Sequence, residues 1–285
     1  MMWWKKKSIY LLALSVLLAT FVWFQIGMFL IHMFFEVNIR FNFFTFCISL
    51  FKEQTIYYIA AVYLTNTIII CTLAITLIKL IKQVFLSFRF KKRIMDFKDP
   101  ALSSFYSNKF GVHNDIYIVK TEQSLAFTMG MRKPFIVLST GLIELLEEDE
   151  LMAVIEHEQF HQNNRDPLII MILQVISQSL WFIPLTKWCF QNYKIICEIL
   201  ADEYAIKKMG SQIGLGSALL KLIRHRLPNK SVPMVVQFSG ESINYRLQQL
   251  VEPKRAIPVK IKLGTIVTSF YALLIFLGMM YITFA

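Results

Sequence analysis

Long apolar runs separated by short polar segments predict several membrane-spanning helices in this chain. Ile9 to Phe35 contains no Lys, Arg, Asp or Glu, a second run covers roughly Ile56 to Ile81, and a last one extends from Thr265 to Phe284. A helix needs about 20 apolar residues to cross the hydrocarbon layer, so each run is long enough. A cleavable signal peptide is the alternative for the first run. Its apolar core would be shorter, and no small-x-small cleavage pattern follows Phe35.

The middle of the chain changes to short apolar runs that predict strands. These runs are Ile116–Val119, Leu125–Thr128 and Phe135–Leu138, and Gly130 and Pro134 lie between the last two. Apolar runs of this length bounded by turn residues are typical of a small sheet with a hairpin.

Composition and charge support the membrane interpretation. Of the 285 residues 56% are hydrophobic and 17% are charged, which is more apolar than an ordinary soluble domain. The net charge of +11 comes largely from basic clusters at Lys79 to Arg93 and Lys254 to Lys262, which flank apolar runs. By the positive-inside rule these flanks face the cytoplasm, which places the N-terminus inside and Ala285 outside. Beside a membrane span, a basic cluster indicates attraction to anionic lipids, so no nucleic-acid binding is expected.

The strongest chemical signal is the segment Glu156-His157-Glu158-Gln159-Phe160-His161. Residues four apart share one helix face, so His157 and His161 can hold one Zn²⁺ at about 2.0–2.1 Å each. Glu158 would lie beside the metal, where it can accept a proton from a water that the metal activates. The motif is short, and alone it does not distinguish a metal site from two ordinary packed histidines.

A second charged helix offers the third ligand. Catalytic zinc sites use three protein ligands and one open position, and Glu198 completes that count with His157 and His161. Asp202, four residues after Glu198, would accept the other ring N–H of a ligating histidine. A solvated helix face is the alternative for both carboxylates. Cys197 points about 100° away from Glu198 around the helix, so it is predicted to be a core residue.

The apolar run between the two ligand helices predicts an excursion that returns. Leu168 to Phe190 is long enough to span, but a single crossing would put His161 and Glu198 on opposite sides of the membrane. The run therefore predicts a helical hairpin bent near Pro184, buried in protein or partly embedded in lipid; a core helix is the other interpretation. Asp166, followed by Pro167, is predicted to be the N-cap of its first helix.

Together these motifs resemble the BlaR/MecR family, the antibiotic-sensor type of integral-membrane zinc metallopeptidases, which is similar in its catalytic core to the HtpX and Ste24 peptidases. The resemblance covers roughly residues 80 to 255 and is carried by Ala126–Gly130, Pro134–Leu142, Glu148–Leu151, His157–His161, Arg165–Pro167, Trp181–Pro184 and Glu198–Asp202. It implies Zn²⁺ as cofactor, His157, His161 and Glu198 as metal ligands, Glu158 as general base and Asp202 as support for a ligand. It also implies that Arg246, on a late helix, contacts the substrate or the transition state.

The implied fold is a mainly α membrane protein (α+β) with a gluzincin-like zinc peptidase domain and a small β-sheet. Residues 1–81 would form a two-helix transmembrane region, and 82–262 a cytoplasm-facing peptidase domain with the apolar hairpin at 168–190. Residues 263–285 would form a last transmembrane helix. Sensor members of the family carry an extracellular penicillin-binding domain after this helix, whereas this chain stops at Ala285. A β-lactam receptor role on the same polypeptide is therefore not expected.

The expected function is metalloendopeptidase cleavage of a cytoplasmic or membrane-proximal protein in regulatory signalling, at a bacterial-type plasma membrane. The substrate would be a repressor, an anti-regulator or the enzyme itself, and it would bind along an edge strand of the sheet near the zinc helix. A separate sensor or regulatory membrane protein and a second copy of the chain are candidate partners. The alternatives are a proteolytically silent signalling protein with a structural metal site and a transporter subunit.

Overall fold

The computed structural model describes residues 2–35, 55–111, 115–226, 240–252 and 261–282. The described chain is mostly helical, with one small mixed sheet. The helices are α1 Met2–Phe35, α2 Ile56–Asp96, α3 Pro100–Lys109, α4 Thr140–Leu145, α5 Glu148–Asn164, α6 Asp166–Ser179, α7 Pro184–Met209, α8 Ile213–Arg226, α9 Gly240–Val251 and α10 Leu263–Ile282. The strands are β1 Lys98–Asp99, β2 Ile116–Val119, β3 Ala126–Met129 and β4 Phe135–Ser139.

The chain divides into two compact units. The first unit comprises Met1–Ile9, Val84–Met171 and Asn192–Pro258, and it contains the sheet and the helices that carry the predicted metal ligands. The second unit comprises Tyr10–Gln83, Ile172–Gln191 and Val259–Ala285, and it contains the apolar helices.

Two described helices are long and apolar enough to cross a membrane, Trp4–Ile31 within α1 and Ile56–Asp96, which is α2. With 41 residues, α2 is about 61 Å long, twice the thickness of a hydrocarbon layer. The helix continues past Ile81, the predicted end of the span, and includes the basic cluster. Lys and Arg are good helix formers, so the basic cluster does not end the helix. The third crossing, over α10, stays a prediction, and Phe284 lies outside the described residues.

The sheet has the strand order β1-β2-β4-β3. Strands β2 and β4 are parallel, with Ile118 opposite Leu138, and β3 and β4 form the predicted antiparallel hairpin, with Phe127 opposite Val137. The hairpin turn requires glycine at Gly130, where φ is +112° and a Cβ would lie 2.6 Å from a backbone oxygen. No sequence pattern predicted β1, which is only two residues long.

Strand β3 is an edge of the sheet, since no strand of the described ranges pairs with its other side. The N–H of Ser139 donates to the carbonyl of Leu125 at 3.0 Å. This bond shows which residues of β3 direct their backbone N–H and C=O groups toward β4 and which direct them away from it. Phe127 is then in a hydrogen-bonded position, and the backbone N–H and C=O groups of Ala126 and Thr128 point to the open edge. The strand order thus identifies the edge that the sequence left undetermined.

The sheet is buried on both faces, and this fixes the position of α5. One face packs in a cluster with α4, α5 and α8, whose buried members include Ile118, Leu138, Leu142 and Ile155. The other face packs against Ile94 near the end of α2. Because side chains alternate along β3, Phe127 and Met129 join the α2 cluster, whereas Ala126 joins the cluster of α5.

The N-terminus of α5 is held by a capping box and by a contact with α8. Glu147 and Glu150 cap each other's backbone N–H groups. The buried carboxylate of Glu150 also accepts a hydrogen bond from the Ser217 hydroxyl and lies 2.7 Å from Nζ of Lys221, both on α8. The acidic start of the helix that the sequence predicted is therefore also its attachment to a neighbouring helix.

Replacing Glu150 with Gln should destabilise the first unit at neutral pH. Burial raises the pKa of Glu150, but hydrogen bonds from Lys221 and Ser217 outweigh it and hold the pKa below its ordinary value. The resulting stabilisation is present above the unfolded pKa of about 4.3 and is lost as the pH falls through the lower folded value. We expect a loss of about 1 kcal/mol at pH 7, which shrinks in acid, in thermal unfolding of the detergent-solubilised protein.

The control for this prediction is Glu148→Gln. The Glu148 side chain is 69% exposed and pairs with Lys109 on the surface, so its removal should change stability little. An equal loss of stability for Glu150→Gln at every pH would contradict the assigned role of the carboxylate charge.

Candidate metal centre

His157 and His161 lie on one face of α5, and both rings are buried. Their Nε2 atoms are 3.2 Å apart, and the ring planes are inclined at 76°. Two nitrogen ligands at 2.0–2.1 Å from a tetrahedral zinc ion would be about 3.3 Å apart. The spacing of the two rings therefore fits two adjacent ligands of one metal ion.

Helix α7 brings Glu198 to the same point. Its Oε2 lies 3.5 Å from Nε2 of His157, and its Oε1 lies 3.7 Å from Nε2 of His161. One donor atom from each of the three residues lies within 4.8 Å of the other two. Two imidazoles and one carboxylate are the ligand set of many catalytic zinc sites. The structure thus brings together the three residues predicted to bind zinc, and their metal binding stays a prediction.

The other nitrogen of each imidazole contacts a carboxylate. Nδ1 of His161 is hydrogen-bonded to Oδ2 of Asp166 at 2.7 Å. Nδ1 of His157 lies 2.8 Å from Oδ1 of Asp202, in a contact too bent to count as a hydrogen bond. Carboxylates at Nδ1 favour the tautomer that leaves Nε2 free to bind a metal. Asp202 lies where the sequence predicted it, and Asp166 is an equivalent partner that the sequence did not indicate.

Asp166 was predicted to cap the next helix, but the structure gives its side chain another role. Helix α6 begins at Asp166 itself, because Arg165 ends α5 in the left-handed conformation with φ of 54°. The carboxylate is buried between His161 and Tyr193, whose hydroxyl donates to Oδ1 at 3.1 Å. The Asp-Pro pair was the available signal, and it was interpreted only as a helix start.

Arg246 on α9 is buried against two of the carboxylates. Its Nε and Nη2 donate to the two oxygens of Asp202 at 2.8 and 2.7 Å, and its Nη1 donates to Oε2 of Glu198 at 3.1 Å. This bidentate pairing holds the Asp202 carboxylate in the plane of the guanidinium. The structure thus places Arg246 in contact with Glu198, the third predicted ligand, and with Asp202, the partner of His157. Its predicted contact with substrate or transition state stays a prediction.

Glu158 follows His157 on α5 and is also buried. The Thr128 hydroxyl on the edge strand β3 lies 2.9 Å from Oε2 of Glu158 and 2.9 Å from its backbone oxygen. Thr128 therefore connects the predicted general base to the open edge of the sheet. Sequence reasoning missed Thr128, because thirty residues separate it from Glu158.

The electrostatics of the site favour a bound cation. Burial and the charge of Arg246 lower the pKa of His157, but Asp202 and Glu198 outweigh them and raise it to about 9. Burial likewise lowers the pKa of His161, and the carboxylates of Asp166 and Glu198 raise it on balance. The cluster places four carboxylates against one guanidinium, and this excess of negative charge favours a cation at the two rings. Because a metal ion binds the neutral imidazole, a divalent metal ion would compete with protons for both histidines.

Cys197 adds a second group of candidate ligand atoms, with His161 and Asp166, within 4.8 Å of one another. The residue is 2% exposed, which agrees with its predicted place in the core. Burial and the nearby charges of Asp166 and Glu198 raise the pKa of its thiol well above the ordinary value. Because the thiolate is the form that binds metals, Cys197 is the poorer candidate ligand.

Replacing Asp166 with Asn should weaken metal binding without removing a ligand. The amide keeps the size of the carboxylate but loses the charge that orients His161 and supports its basicity. Loss of such a partner costs on the order of 10–100-fold in metal affinity. Competition with a fluorescent chelator measures this change, and Tyr193→Phe should give a smaller one. Unchanged affinity in Asp166→Asn would show that the 2.7 Å contact has no part in metal binding.

Comparison with known proteins shows the family of this chain. The profile of the family described as BlaR1 peptidase M56 matches residues 44–250. The chain belongs to this peptidase family. The predicted resemblance to the BlaR/MecR family is thereby confirmed, and with it a relationship to membrane metallopeptidases.

Individual relatives match shorter segments. The regulatory protein BlaR1 of Bacillus licheniformis is 27% identical over 136 residues, which are 46% of this chain and 22% of the relative. An HtpX protease homologue of Aquifex aeolicus is 35% identical over 77 residues, or 26% of this chain and 25% of the relative. An HtpX protease homologue of Trichormus variabilis is 38% identical over 81 residues, or 24% and 28%. The chain thus matches about a quarter of the length of these proteins.

Proposed function

We propose that this protein is a membrane-embedded zinc metalloendopeptidase with a gluzincin-like catalytic domain. The observation that carries the proposal is the convergence of His157, His161 and Glu198 beside the buried carboxylate of Glu158. Three ligands leave one coordination position open, which is typical of catalytic zinc sites and not of structural ones. Membership of the peptidase family supports the same reaction class.

The chain's own residues supply the proton transfers of peptide hydrolysis. Zinc, when bound, would polarise the substrate carbonyl and lower the pKa of a water to about 7. Glu158 accepts a proton from the attacking water and returns it to the leaving amine. The Thr128 hydroxyl holds the Glu158 carboxylate in place. Asp166 and Asp202 orient the two imidazoles, so that both Nε2 atoms face the same point.

The open edge of β3 is the proposed binding place for the substrate backbone. The outward N–H and C=O groups of Ala126 and Thr128 can pair with an extended peptide as with a fifth strand. Thr128 also contacts Glu158, so a peptide on this edge would pass close to the general base. Backbone pairing carries little sequence preference, which leaves specificity to side-chain contacts along the strand.

The proposed substrate is a cytoplasmic or membrane-proximal protein, such as a transcriptional repressor or an anti-regulator, or the enzyme itself. The name of the Bacillus relative, a regulatory protein, supports a signalling role. In this proposal the active site faces the cytoplasm, and a separate sensor or regulatory membrane protein delivers the stimulus.

The test compares the proteomes of cells that carry the native chain or the Glu158→Gln variant. A protein fragment present only with the native chain identifies the substrate and supports the proposal. Metal analysis of the purified protein should give one zinc per chain. Zinc binding with an unchanged proteome and a surviving signalling phenotype would favour the silent signalling protein. Absence of zinc would favour the transporter interpretation.

A further inference from the structure

The turn between α6 and α7 presents a large apolar side chain on its outer surface. Trp181 is 69% exposed there, while its neighbours Leu180 and Ile183 are completely buried. These neighbours belong to a cluster with α1 and α2, whose members include Leu18 and Ile69. The turn therefore packs, within the second unit, on the two helices that are long and apolar enough to cross a membrane.

From Ile183 to Thr186, every backbone N–H of this turn is satisfied by a protein group, as an apolar solvent requires. The N–H of Leu185, in the first turn of α7, donates to the buried hydroxyl of Ser269 on α10 at 3.0 Å. Pro184 has no N–H, and the N–H groups of Ile183 and Thr186 donate to the carbonyls of Leu180 and Ile183. In water, the first N–H groups of a helix can bond to solvent, whereas in hydrocarbon each unpaired group costs several kcal/mol.

With α10 as a membrane crossing, which is the sequence prediction, its contact with the turn gives the depth of the turn. Ser269 lies six residues after Leu263, where the apolar helix begins, and six residues correspond to about 9 Å along the helix axis. The turn would then lie about a third of the way into a hydrocarbon layer of about 30 Å. The exposed Lys187, two residues after Leu185, is compatible with this depth because a lysine side chain can extend its ammonium group to the headgroups.

We propose that the α6–α7 turn is a re-entrant membrane element, and that the Trp181 ring is in contact with lipid acyl chains. The lipid bilayer is thus the partner of the exposed surface around Trp181. This inference rests on the membrane location in the proposed function and does not depend on proteolysis. For the apolar run at 168–190 it favours lipid embedding over burial in protein.

The experiment measures tryptophan fluorescence of the full chain in phosphatidylcholine vesicles. A variant in which Trp3, Trp4, Trp23 and Trp188 are replaced with Phe retains Trp181 alone. We expect blue-shifted emission that iodide in the aqueous phase does not quench. Lipids brominated on the acyl chain close to the headgroup should remove most of this emission, and lipids brominated at the chain end should remove less. If the four replacements prevent folding, the emission lost between the native chain and Trp181→Phe gives the same comparison.

A variant that retains only Trp23, in the middle of α1, is the matched control, since it reports whether α1 itself lies in the bilayer. Quenching of Trp23 by brominated lipids without quenching of Trp181 would overturn the inference and leave the proposed membrane location intact. Quenching of Trp181 by iodide would overturn it as well. If brominated lipids quench neither residue, both the inference and the proposed membrane location fail.

Discussion

Glu158→Gln should abolish peptide cleavage while the protein keeps its zinc. The substitution removes the group that accepts and returns the proton, and general acid–base catalysis contributes on the order of 10²–10⁴-fold to the rate. The glutamine amide has nearly the same shape and can still accept a hydrogen bond from Thr128 through its oxygen. The ligands His157, His161 and Glu198 are untouched. We therefore expect unchanged zinc content by elemental analysis and a cleavage rate lowered by at least two orders of magnitude.

The matched control is Glu148→Gln, a substitution of the same kind on the exposed first turn of α5. It should leave both zinc content and cleavage rate at the native level, because Glu148 is exposed and pairs with Lys109 at the surface. Native cleavage by the Glu158→Gln protein would exclude Glu158 as the general base. Loss of zinc together with activity would instead show that Glu158 supports the metal site.

The parts of the site that local periodicity determines could be predicted from the sequence. His157 and His161 are four residues apart on one helix, and the acidic residues that begin this helix were recognisable from their position. Glu198 and Asp202 show the same spacing on α7. For these two residues, however, periodicity predicted only a shared face, and the need of a catalytic zinc site for a third protein ligand connected that face with the histidines. The structure adds the distances, with Glu198 3.5 Å from one ring and 3.7 Å from the other.

The contacts that sequence reasoning missed join residues that no helical or strand period relates. Asp166 reaches His161 because the left-handed Arg165 turns the chain between α5 and α6. Thr128 reaches Glu158 because β3 is the edge strand on the α5 side of the sheet, and strand order cannot be read from alternation alone. The same limit applied to β1, whose two residues are too few to show a pattern.

Arg246 attaches α9 to two carboxylates of the candidate metal centre. Its guanidinium lies on Asp202 and Glu198, and opposite charges raise its pKa although burial alone would lower it. Burial alone would raise the pKa of Glu198, but contacts with His157, His161 and Arg246 lower it on balance. Glu198 is therefore ionised before any metal binds, as a zinc ligand must be.

Glu198→Gln should release the metal and leave the fold intact. A neutral amide is a poor replacement for a carboxylate ligand of Zn²⁺, and removing a ligand should cost more than the 10–100-fold typical of a supporting residue. Arg246 keeps both of its hydrogen bonds to Asp202, so α9 should remain attached. We expect zinc content well below one per chain, lost cleavage, and a thermal unfolding temperature close to that of the zinc-free native protein.

His157→Ala should lower the zinc content in the same way, whereas two matched controls should not. His225→Ala removes an exposed histidine that contacts Ser124, away from the cluster. Glu203→Gln changes a carboxylate five residues after Glu198, which a helical period places about 140° around α7.

Stoichiometric zinc in Glu198→Gln would mean that the ion is held by another set of atoms, such as His161, Asp166 and Cys197. The second ligand group would then be the metal site, and the coordination position that peptide hydrolysis requires would have to be open at that group.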